Sequence, residues 1–215
     1  MKILVVSATD FEIADLRKNL LVPANHQVDY LVTGVGMIHT TFELTKCLMN
    51  YKYDLAINVG IAGAFDRSIA VGDCVWVRKD LFSEMGAEDG EDFLSLIQLG
   101  LQTHDDFPFT WGELHPPIYK ELNSLQKLKQ VRGITVNKVH GNDKSIMETN
   151  MRLSPQIESM EGAAFFYVCM KMNTPCIQVR SISNYVERRN KENWNIPLAL
   201  KSLNYCIINL LRDLF

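Results

Sequence analysis

The chain alternates short aliphatic runs with segments whose apolar residues recur at helical spacing, and this alternation restricts the possible folds more than any other feature. Residues 2–8 form a continuous aliphatic run, which is typical of a strand buried on both faces. Residues 11–20 then show helical periodicity. Because the same strand–helix pattern recurs, we predict an α/β fold with a central mixed, mostly parallel sheet flanked by helices.

The remaining elements follow from the same periodicities. Further strands are predicted over residues 28–35, 55–59, 74–78, 133–139 and 176–181. Helices are predicted over residues 37–49, 118–125 and 197–211, and another begins at residue 161. Residues 81–117 instead collect acids, aromatics and prolines without periodicity, which predicts a lid or a dimer contact. No linker composition divides the chain, so residues 1–215 are expected to form one domain.

Composition favours a small-molecule ligand. The 215 residues are 47% hydrophobic, enough for one large core, and the net charge of −3 does not favour nucleic acid as a partner. No apolar run approaches the ~20 residues that span a bilayer, and the first residues are too short and β-branched for a signal segment, so we expect a cytoplasmic protein. The cysteines and histidines lack metal-ligand spacing, and neither a metal nor a cofactor is expected.

Candidate site residues follow the predicted strands, because α/β sheets bind ligands beyond the carboxyl ends of their strands. Four segments occupy such positions: residues 7–12, 58–64, 139–143 and 180–184. Glu161 lies elsewhere, at the start of a predicted buried helix, where backbone N–H groups and the helix dipole favour a charged carboxylate. Such a carboxylate could accept hydrogen bonds from two ribose hydroxyls while Met160 packs on the sugar. A helix-capping acid is the alternative.

Two further features have both a functional and a structural interpretation. Glu12 falls in the first turn of the first helix, where a carboxylate could hold and deprotonate a water molecule, although acids are ordinary caps at this position. The segment Gly60-Ile61-Ala62-Gly63 would let backbone approach a ligand closely, or would simply form a tight strand exit. The turn at residues 33–36 lacks the third glycine of a dinucleotide-binding motif, so we interpret it as a strand-to-helix turn.

Asn184 is predicted at a strand end and offers a carbonyl acceptor beside an NH₂ donor. A purine with a 6-oxo group matches this pair, because the NH₂ can donate to O6 and the carbonyl can accept from a protonated N7. An adenine, with its 6-amino donor, would suit a carboxyl group better. An asparagine that closes a turn is the structural alternative.

Together, Glu12, residues 60–63, residues 159–161 and residues 180–184 resemble the nucleoside phosphorylase and nucleosidase superfamily over nearly the whole chain. Residues 158–165 and 183–187 look like the futalosine hydrolase branch, whose members remove hypoxanthine from futalosine in menaquinone biosynthesis. The resemblance implies that Glu12 activates water, that Met160 and Glu161 clamp the ribose, and that Ala62 and Gly63 lie beside the sugar and base.

Asn184 departs from part of this superfamily. By resemblance, the related methylthioadenosine and adenosylhomocysteine nucleosidases carry an aspartate there, which donates a proton to adenine N7. An amide shifts the expected base toward hypoxanthine, but it cannot donate this proton. Protonation of N7 must then come from solvent, or a hydrogen bond to the leaving base must take its place. Hydrolysis is expected rather than phosphorolysis, because the first loop supplies Asp10 and Glu12 and no glycine, and carboxylates repel phosphate.

The futalosine resemblance also implies a carboxylate on the 5′ extension, for which Lys144, Arg188 and Arg189 are the candidate partners. The basic run 188–191 could equally be a solvated loop. A homodimer or higher homo-oligomer is expected, with residues 81–117 as a possible contact. Two other functions stay open: an adenine-releasing nucleosidase, and a non-catalytic nucleoside-binding protein in which Glu12 only caps its helix.

Overall fold

Strands and helices alternate along the chain in the computed structural model, which describes residues 1–118 and 122–215. The strands are β1 (Lys2–Ser7), β2 (Gln27–Val32), β3 (Leu55–Ala64), β4 (Cys74–Lys79), β5 (Gly86–Asp89), β6 (Asp92–Ser95), β7 (Phe109–Thr110), β8 (Glu113–Leu114), β9 (Lys129–Thr135), β10 (Ile157–Ser159) and β11 (Cys176–Tyr185). The helices are α1 (Asp10–Asn19), α2 (Met37–Asn50), α3 (Asn123–Gln126), α4 (Asp143–Leu153), α5 (Gly162–Lys171) and α6 (Ile196–Arg212). A 3-10 turn covers Lys191–Asn193.

The main sheet is mixed and partly closed. Its seven strands follow the order β10-β9-β4-β11-β3-β1-β2, and β10 also pairs with β3. The sheet therefore contains a closed ring of five strands, in the order β3, β11, β4, β9 and β10. Strands β1 and β2 lie outside this ring, next to β3. Strand β4 runs antiparallel to β11, and β10 runs antiparallel to β3.

The prediction of an α/β fold with a mixed sheet and flanking helices is confirmed, whereas its description as mostly parallel is corrected to a mixed, partly closed barrel. Strand β4 contributes one antiparallel pairing, and strand β10 contributes the other and closes the ring. Strand β10 is only three residues long and was missed in the sequence, yet its pairings to β9 and β3 close the ring. A strand this short shows no periodicity, so the closure cannot be recognised from the pattern of apolar residues.

Strand β3 runs through residues 60–63, so the interpretation of this segment as a tight strand exit is wrong. Its first half pairs with β1, and its last two residues pair with β10. Gly60 is required for close approach rather than for a turn. A Cβ at this position would overlap Nη1 of Arg180 and would lie 2.8 Å from Oε1 of Glu12.

Apolar side chains pack on both faces of the sheet. In β1, Ile3 and Val5 face one layer while Leu4 and Val6 face the other, as expected when successive side chains alternate. Helices α1 and α6 cover one face, and α2 and α5 cover the other. This two-sided burial explains why the sequence of β1 is aliphatic throughout.

Several element boundaries also need correction. The strand predicted over residues 133–139 is β9, four residues earlier, and α4 was missed because it is mostly exposed and buries only Thr149. Of the helix predicted over residues 118–125, the structure shows α3 at Asn123–Gln126, and residues 119–121 lie outside the described part. Residues 81–117 contain two small hairpins, β5–β6 and β7–β8. Among the described helices, none has the length and apolar character needed to cross a membrane.

Candidate active site

A cavity of about 490 Å³ opens where β1, β3 and β11 end and where α1 and α5 begin. Its polar lining includes Glu12, His140, Glu158, Glu161 and Asn184. Its apolar walls include Phe11, Val35, Val139, Met160, Trp194 and Ile196. The predicted residues Ala62 and Gly63 also line it. Residues that are far apart in the sequence therefore share one cavity whose size suits a small organic ligand.

Glu12 lies at the floor of this cavity and is fixed by several donors. Its Oε2 accepts from the Ala8 and Thr9 backbone N–H groups at 3.1 and 2.9 Å, and its Oε1 accepts from the Ile61 N–H at 3.2 Å. The contact with Thr9, the N-cap of α1, means that Glu12 does cap its helix. The structural and functional interpretations are thus compatible, because the same carboxylate also faces the cavity.

Glu161 is the N-cap residue of α5, but its carboxylate does not cap that helix. It turns instead toward Gly36, the N-cap residue of α2, whose N–H donates to Oε1 at 3.0 Å. The turn at residues 33–36, which was set aside in the sequence, therefore supports the site. Oε2 of Glu161 lies 3.8 Å from Nη1 of Arg180. A buried cation and a backbone donor thus hold the carboxylate at the cavity wall.

Arg180 is the main site residue that sequence reasoning missed. It is fully buried in β11, where Nε donates to Oε1 of Gln178 at 3.0 Å and Nη2 donates to Oδ1 of Asn58. Nη1 has no hydrogen-bond partner among the residues described. A charged residue inside an otherwise apolar strand was the available signal, since buried arginines are rare unless they are paired. Here the guanidinium lies between Glu12 and Glu161.

The charges around Glu12 affect its protonation. Burial raises the pKa of the Glu12 carboxyl above its ordinary value. The Arg180 charge opposes this shift, and the nearby Glu161 carboxylate adds to it. A carboxylate with a raised pKa is a better proton acceptor, which suits a general base.

Asn184 is the penultimate residue of β11, close to the predicted strand end, and it lies next to an irregularity in the pairing with β3. The register shifts between Ile182 and Asn184, and such a bulge re-aims the following side chain. Oδ1 of Asn184 accepts from the Ser183 hydroxyl at 2.7 Å, and Nδ2 donates to the Tyr185 carbonyl at 2.9 Å. One amide hydrogen and one acceptor site on Oδ1 are left for a ligand.

Glu158 and His140 form a second polar pair on the cavity wall. Glu158 Oε2 lies 2.6 Å from His140 Nδ1, and Oε1 accepts from the His140 backbone N–H at 3.1 Å. His140 Nε2 lies 2.9 Å from the Thr149 hydroxyl of α4. Both residues fell inside segments singled out in the sequence, but their pairing depends on β10 and on the loop before α4, and both of these elements were missed.

The three basic candidates lie outside the cavity lining. Lys144 is exposed on α4, and its Nζ lies 3.7 Å from Oε1 of Glu148. Arg188 is exposed, and the guanidinium of Arg189 packs 5.0 Å from the ring of Trp194, which does line the cavity. Arg189 thus contacts a residue of the cavity wall. Residues 81–117 are all described, and none of them lines the cavity.

The chain matches the model of the phosphorylase superfamily over residues 2–211. It is 27% identical to a futalosine hydrolase of Thermus thermophilus, over 86% of this chain and 81% of that one. It is 30% identical to a futalosine hydrolase of Acidothermus cellulolyticus, over 85% of this chain and 74% of that one. It is also 27% identical to a 5′-methylthioadenosine/S-adenosylhomocysteine nucleosidase of Marinomonas, over 81% of this chain and 75% of that one.

Solved structures show the same fold. The S-adenosylhomocysteine nucleosidase of Streptococcus pyogenes, in complex with 5-methylthiotubericidin, aligns with a TM-score of 0.81 at 20% identity. The alignment covers 100% of this chain and 98% of that one. The match to the superfamily model spans almost all of the sequence, and the partly closed barrel agrees with this fold. The chain belongs to the phosphorylase superfamily.

Proposed function

We propose that this enzyme, an N-glycosidic hydrolase of the phosphorylase superfamily, cleaves futalosine to hypoxanthine and dehypoxanthine futalosine, a step of menaquinone biosynthesis. The observation that carries the proposal is the common cavity of Glu12, Glu161 and Asn184. The two futalosine hydrolase relatives, at 27% and 30% identity, support the choice of substrate.

The ribose is assigned to the wall formed by Glu161 and Met160. Oε1 and Oε2 of Glu161 each keep acceptor capacity beyond their contacts with Gly36 and Arg180, so the carboxylate can accept from the 2′ and 3′ hydroxyls. Met160 supplies an apolar surface for the sugar face. As the glycosidic bond breaks, the ribose becomes oxocarbenium-like, and the negative charge of Glu161 stabilises it.

Glu12 is assigned as the base that activates water. Three backbone N–H groups fix its carboxylate, so little reorganisation is needed when the proton is transferred. The water attacks the anomeric carbon, and its proton moves to Glu12. Phosphorolysis is disfavoured because the carboxylates of Glu12 and Glu161 would face a phosphate nucleophile in the same cavity.

Asn184 is assigned to the base, where Nδ2 donates to O6 and Oδ1 accepts from a protonated N7. Removing a preorganised polar contact of this kind raises the activation barrier by about 2.7–4 kcal/mol. For the 5′ carboxylate, Arg189 is the best-placed of the three basic candidates, because it packs on the cavity-lining Trp194. Loss of futalosine affinity in an Arg188→Ala, Arg189→Ala double variant, with hypoxanthine binding intact, would support this assignment.

The direct experiment is incubation of the purified protein with futalosine, followed by chromatography for free hypoxanthine. Parallel incubation with and without phosphate separates hydrolysis from phosphorolysis. Release of hypoxanthine without phosphate is expected. Tight binding without release would instead indicate a non-catalytic nucleoside-binding protein.

An adenine-releasing nucleosidase is the second candidate, and the Marinomonas relative at 27% identity supports it as strongly as the futalosine hydrolase of Thermus supports the first. Incubation with methylthioadenosine and S-adenosylhomocysteine decides between them. A site built around one hydrogen-bond pattern can discriminate by about 10⁴–10⁵ against a base that leaves buried groups unpaired. We expect hypoxanthine release to exceed adenine release by a large factor.

The proposal includes a homodimer formed through α2. One side of this helix exposes Ile38, Phe42 and Met49, whose exposed fractions are 78%, 65% and 72%. They lie on one face, and a contiguous apolar face of this kind is typical of an interaction surface. Light scattering should give twice the chain mass for the wild type and the chain mass for Phe42→Glu. A monomeric wild type would contradict the dimer.

A further inference from the structure

The wall of the cavity next to Asn184 carries a carboxylate that the proposed mechanism leaves without a role. Glu158 is 4% exposed and lines the cavity, and it does not contact Glu12, Glu161 or Arg180 by any hydrogen bond in the described residues. A buried carboxylate costs free energy unless it is hydrogen-bonded. His140 offsets part of this cost with two hydrogen bonds, and the carboxylate still faces the cavity, where it can accept from a ligand.

Glu158 and Asn184 flank the same backbone position. Gly63 of β3 pairs with Glu158 of β10 on one side and with Asn184 of β11 on the other. A Cβ at Gly63 would lie 3.4 Å from Nδ2 of Asn184 and 3.6 Å from Cγ of Glu158. The amide donor and the carboxylate thus lie beside each other, separated only by a residue that has no side chain.

His140 holds this carboxylate as an acceptor. Because an ionised carboxylate can only accept, the contact with Nδ1 requires the histidine hydrogen on that nitrogen, and the Thr149 hydroxyl can then donate to Nε2. Together with its backbone N–H, His140 occupies two of roughly four acceptor positions on Glu158. The remaining positions are available to a donor in the cavity.

A 6-oxopurine presents this complementary donor. Its N1–H is adjacent to O6 on the same ring edge, so one edge offers an acceptor and a donor side by side. Adenine has the opposite pattern, with an unprotonated N1 that a carboxylate would repel. Glu158 therefore distinguishes the two purines at N1, whereas Asn184 distinguishes them at position 6.

We propose that Glu158, oriented by His140, accepts the N1–H of the purine base and is a specificity residue for 6-oxopurines. This inference rests on the proposed nucleosidase function, because it places the base beside Asn184. His140 is a positioning residue in this arrangement, and its far partner Thr149 does not line the cavity.

The test is a cycle of two ligands and two proteins, measured by titration calorimetry on the full chain. The ligands are hypoxanthine and 1-methylhypoxanthine, which lacks the N1–H. Glu158→Gln should weaken hypoxanthine binding about 10- to 100-fold, the range for a hydrogen bond to a charged group, and 1-methylhypoxanthine binding less than about 3-fold. Equal weakening of both ligands, or of neither, would overturn the inference.

A second variant tests the positioning role of His140. Thr149→Val removes the far contact that goes with the histidine hydrogen on Nδ1, without altering the cavity lining, so it should weaken hypoxanthine binding more than 1-methylhypoxanthine binding and less than Glu158→Gln does. If the glutamine variant does not fold, Glu158→Asp takes its place, because it keeps the charge but shortens the side chain. It too should weaken the binding of hypoxanthine more than that of 1-methylhypoxanthine. If the wild type binds hypoxanthine but the cycle shows no ligand dependence, only this inference fails. If the wild type binds neither base, the proposed function fails with it.

Discussion

Nη1 of Arg180 lies 3.8 Å from Oε2 of Glu161, and a Cβ added at Gly60 would meet both this guanidinium and Oε1 of Glu12. One buried cation thus serves two carboxylates that belong to different helices. The arrangement joins α1, β11 and α5 around the cavity. Stability and chemistry are coupled at this point, because the charges that the reaction needs must also be tolerated by the folded chain.

We expect Arg180→Met to destabilise the protein strongly. The substitution leaves Glu12 and Glu161 buried without their cation, and breaking a buried pair in this way costs about 3–5 kcal/mol. Urea unfolding measures the loss. As a control, Arg17→Met removes a surface pair with Asp10 and should cost less than about 1 kcal/mol. Comparable losses in the two variants would contradict the central position of Arg180.

Glu12→Gln should nearly abolish turnover of futalosine while preserving hypoxanthine binding. The amide keeps an acceptor for the backbone N–H groups but cannot take a proton from water, so we expect kcat to fall by about 10²–10⁴-fold. Asp10→Asn is the matched control, because Asp10 belongs to the same helical turn but is exposed and does not line the cavity. Substantial turnover by the glutamine variant would exclude Glu12 as the base.

Part of the fold was predictable because it depends on local patterns. Strand β1 and helices α1, α2 and α6 were predicted within one or two residues, since each has a strong apolar periodicity. Strand β10 and helix α4 were missed for the opposite reason: one is three residues long, and the other is mostly exposed. Closure of the barrel depends on β10 and was missed with it.

The candidate site divides in the same way. Glu12, Glu161 and Asn184, which line one cavity, could be singled out because each is a polar residue in a predicted position and together they resemble a known family. The relationship between Glu158 and His140 was not accessible, because it is created by β10 and by the loop before α4. Arg180 was quoted only as part of a segment, and its location between two carboxylates is a property of the tertiary structure.

The pH dependence of activity should show the raised pKa of Glu12. A general base must be ionised, so kcat/KM falls as the pH drops through its pKa, and burial together with Glu161 places that midpoint above the ordinary value of 4.5. Steady-state kinetics from pH 4 to 8 measure the acid limb. In Glu161→Gln, the residual activity should show a lower midpoint, because one charge that raises the pKa is gone. A plateau that continues below pH 4.5 in the wild type would argue against Glu12 as the titrating group.

Asp80 lies deeper in the barrel and should affect stability rather than chemistry. It is fully buried, Oδ2 accepts from Nε2 of Gln178 at 3.2 Å, and Gln178 in turn accepts from Arg180. Burial raises the pKa of Asp80 to about 6, despite hydrogen bonds from Gln178 and Thr135 and the charge of Arg180. Its ordinary value is 3.8.

Because the folded state binds this proton more tightly than the unfolded chain does, the contribution of Asp80 to the free energy of unfolding is full below pH 3.8 and is lost as the pH rises through about 6. The shift corresponds to about 3 kcal/mol. Asp80→Asn cannot titrate but keeps a carbonyl acceptor for Leu81 N–H and the Thr135 hydroxyl. Urea unfolding between pH 4 and 7.5 should therefore show the wild type losing about 2–3 kcal/mol relative to the variant. A difference that stays constant over this range would mean that Asp80 holds the same charge in both states.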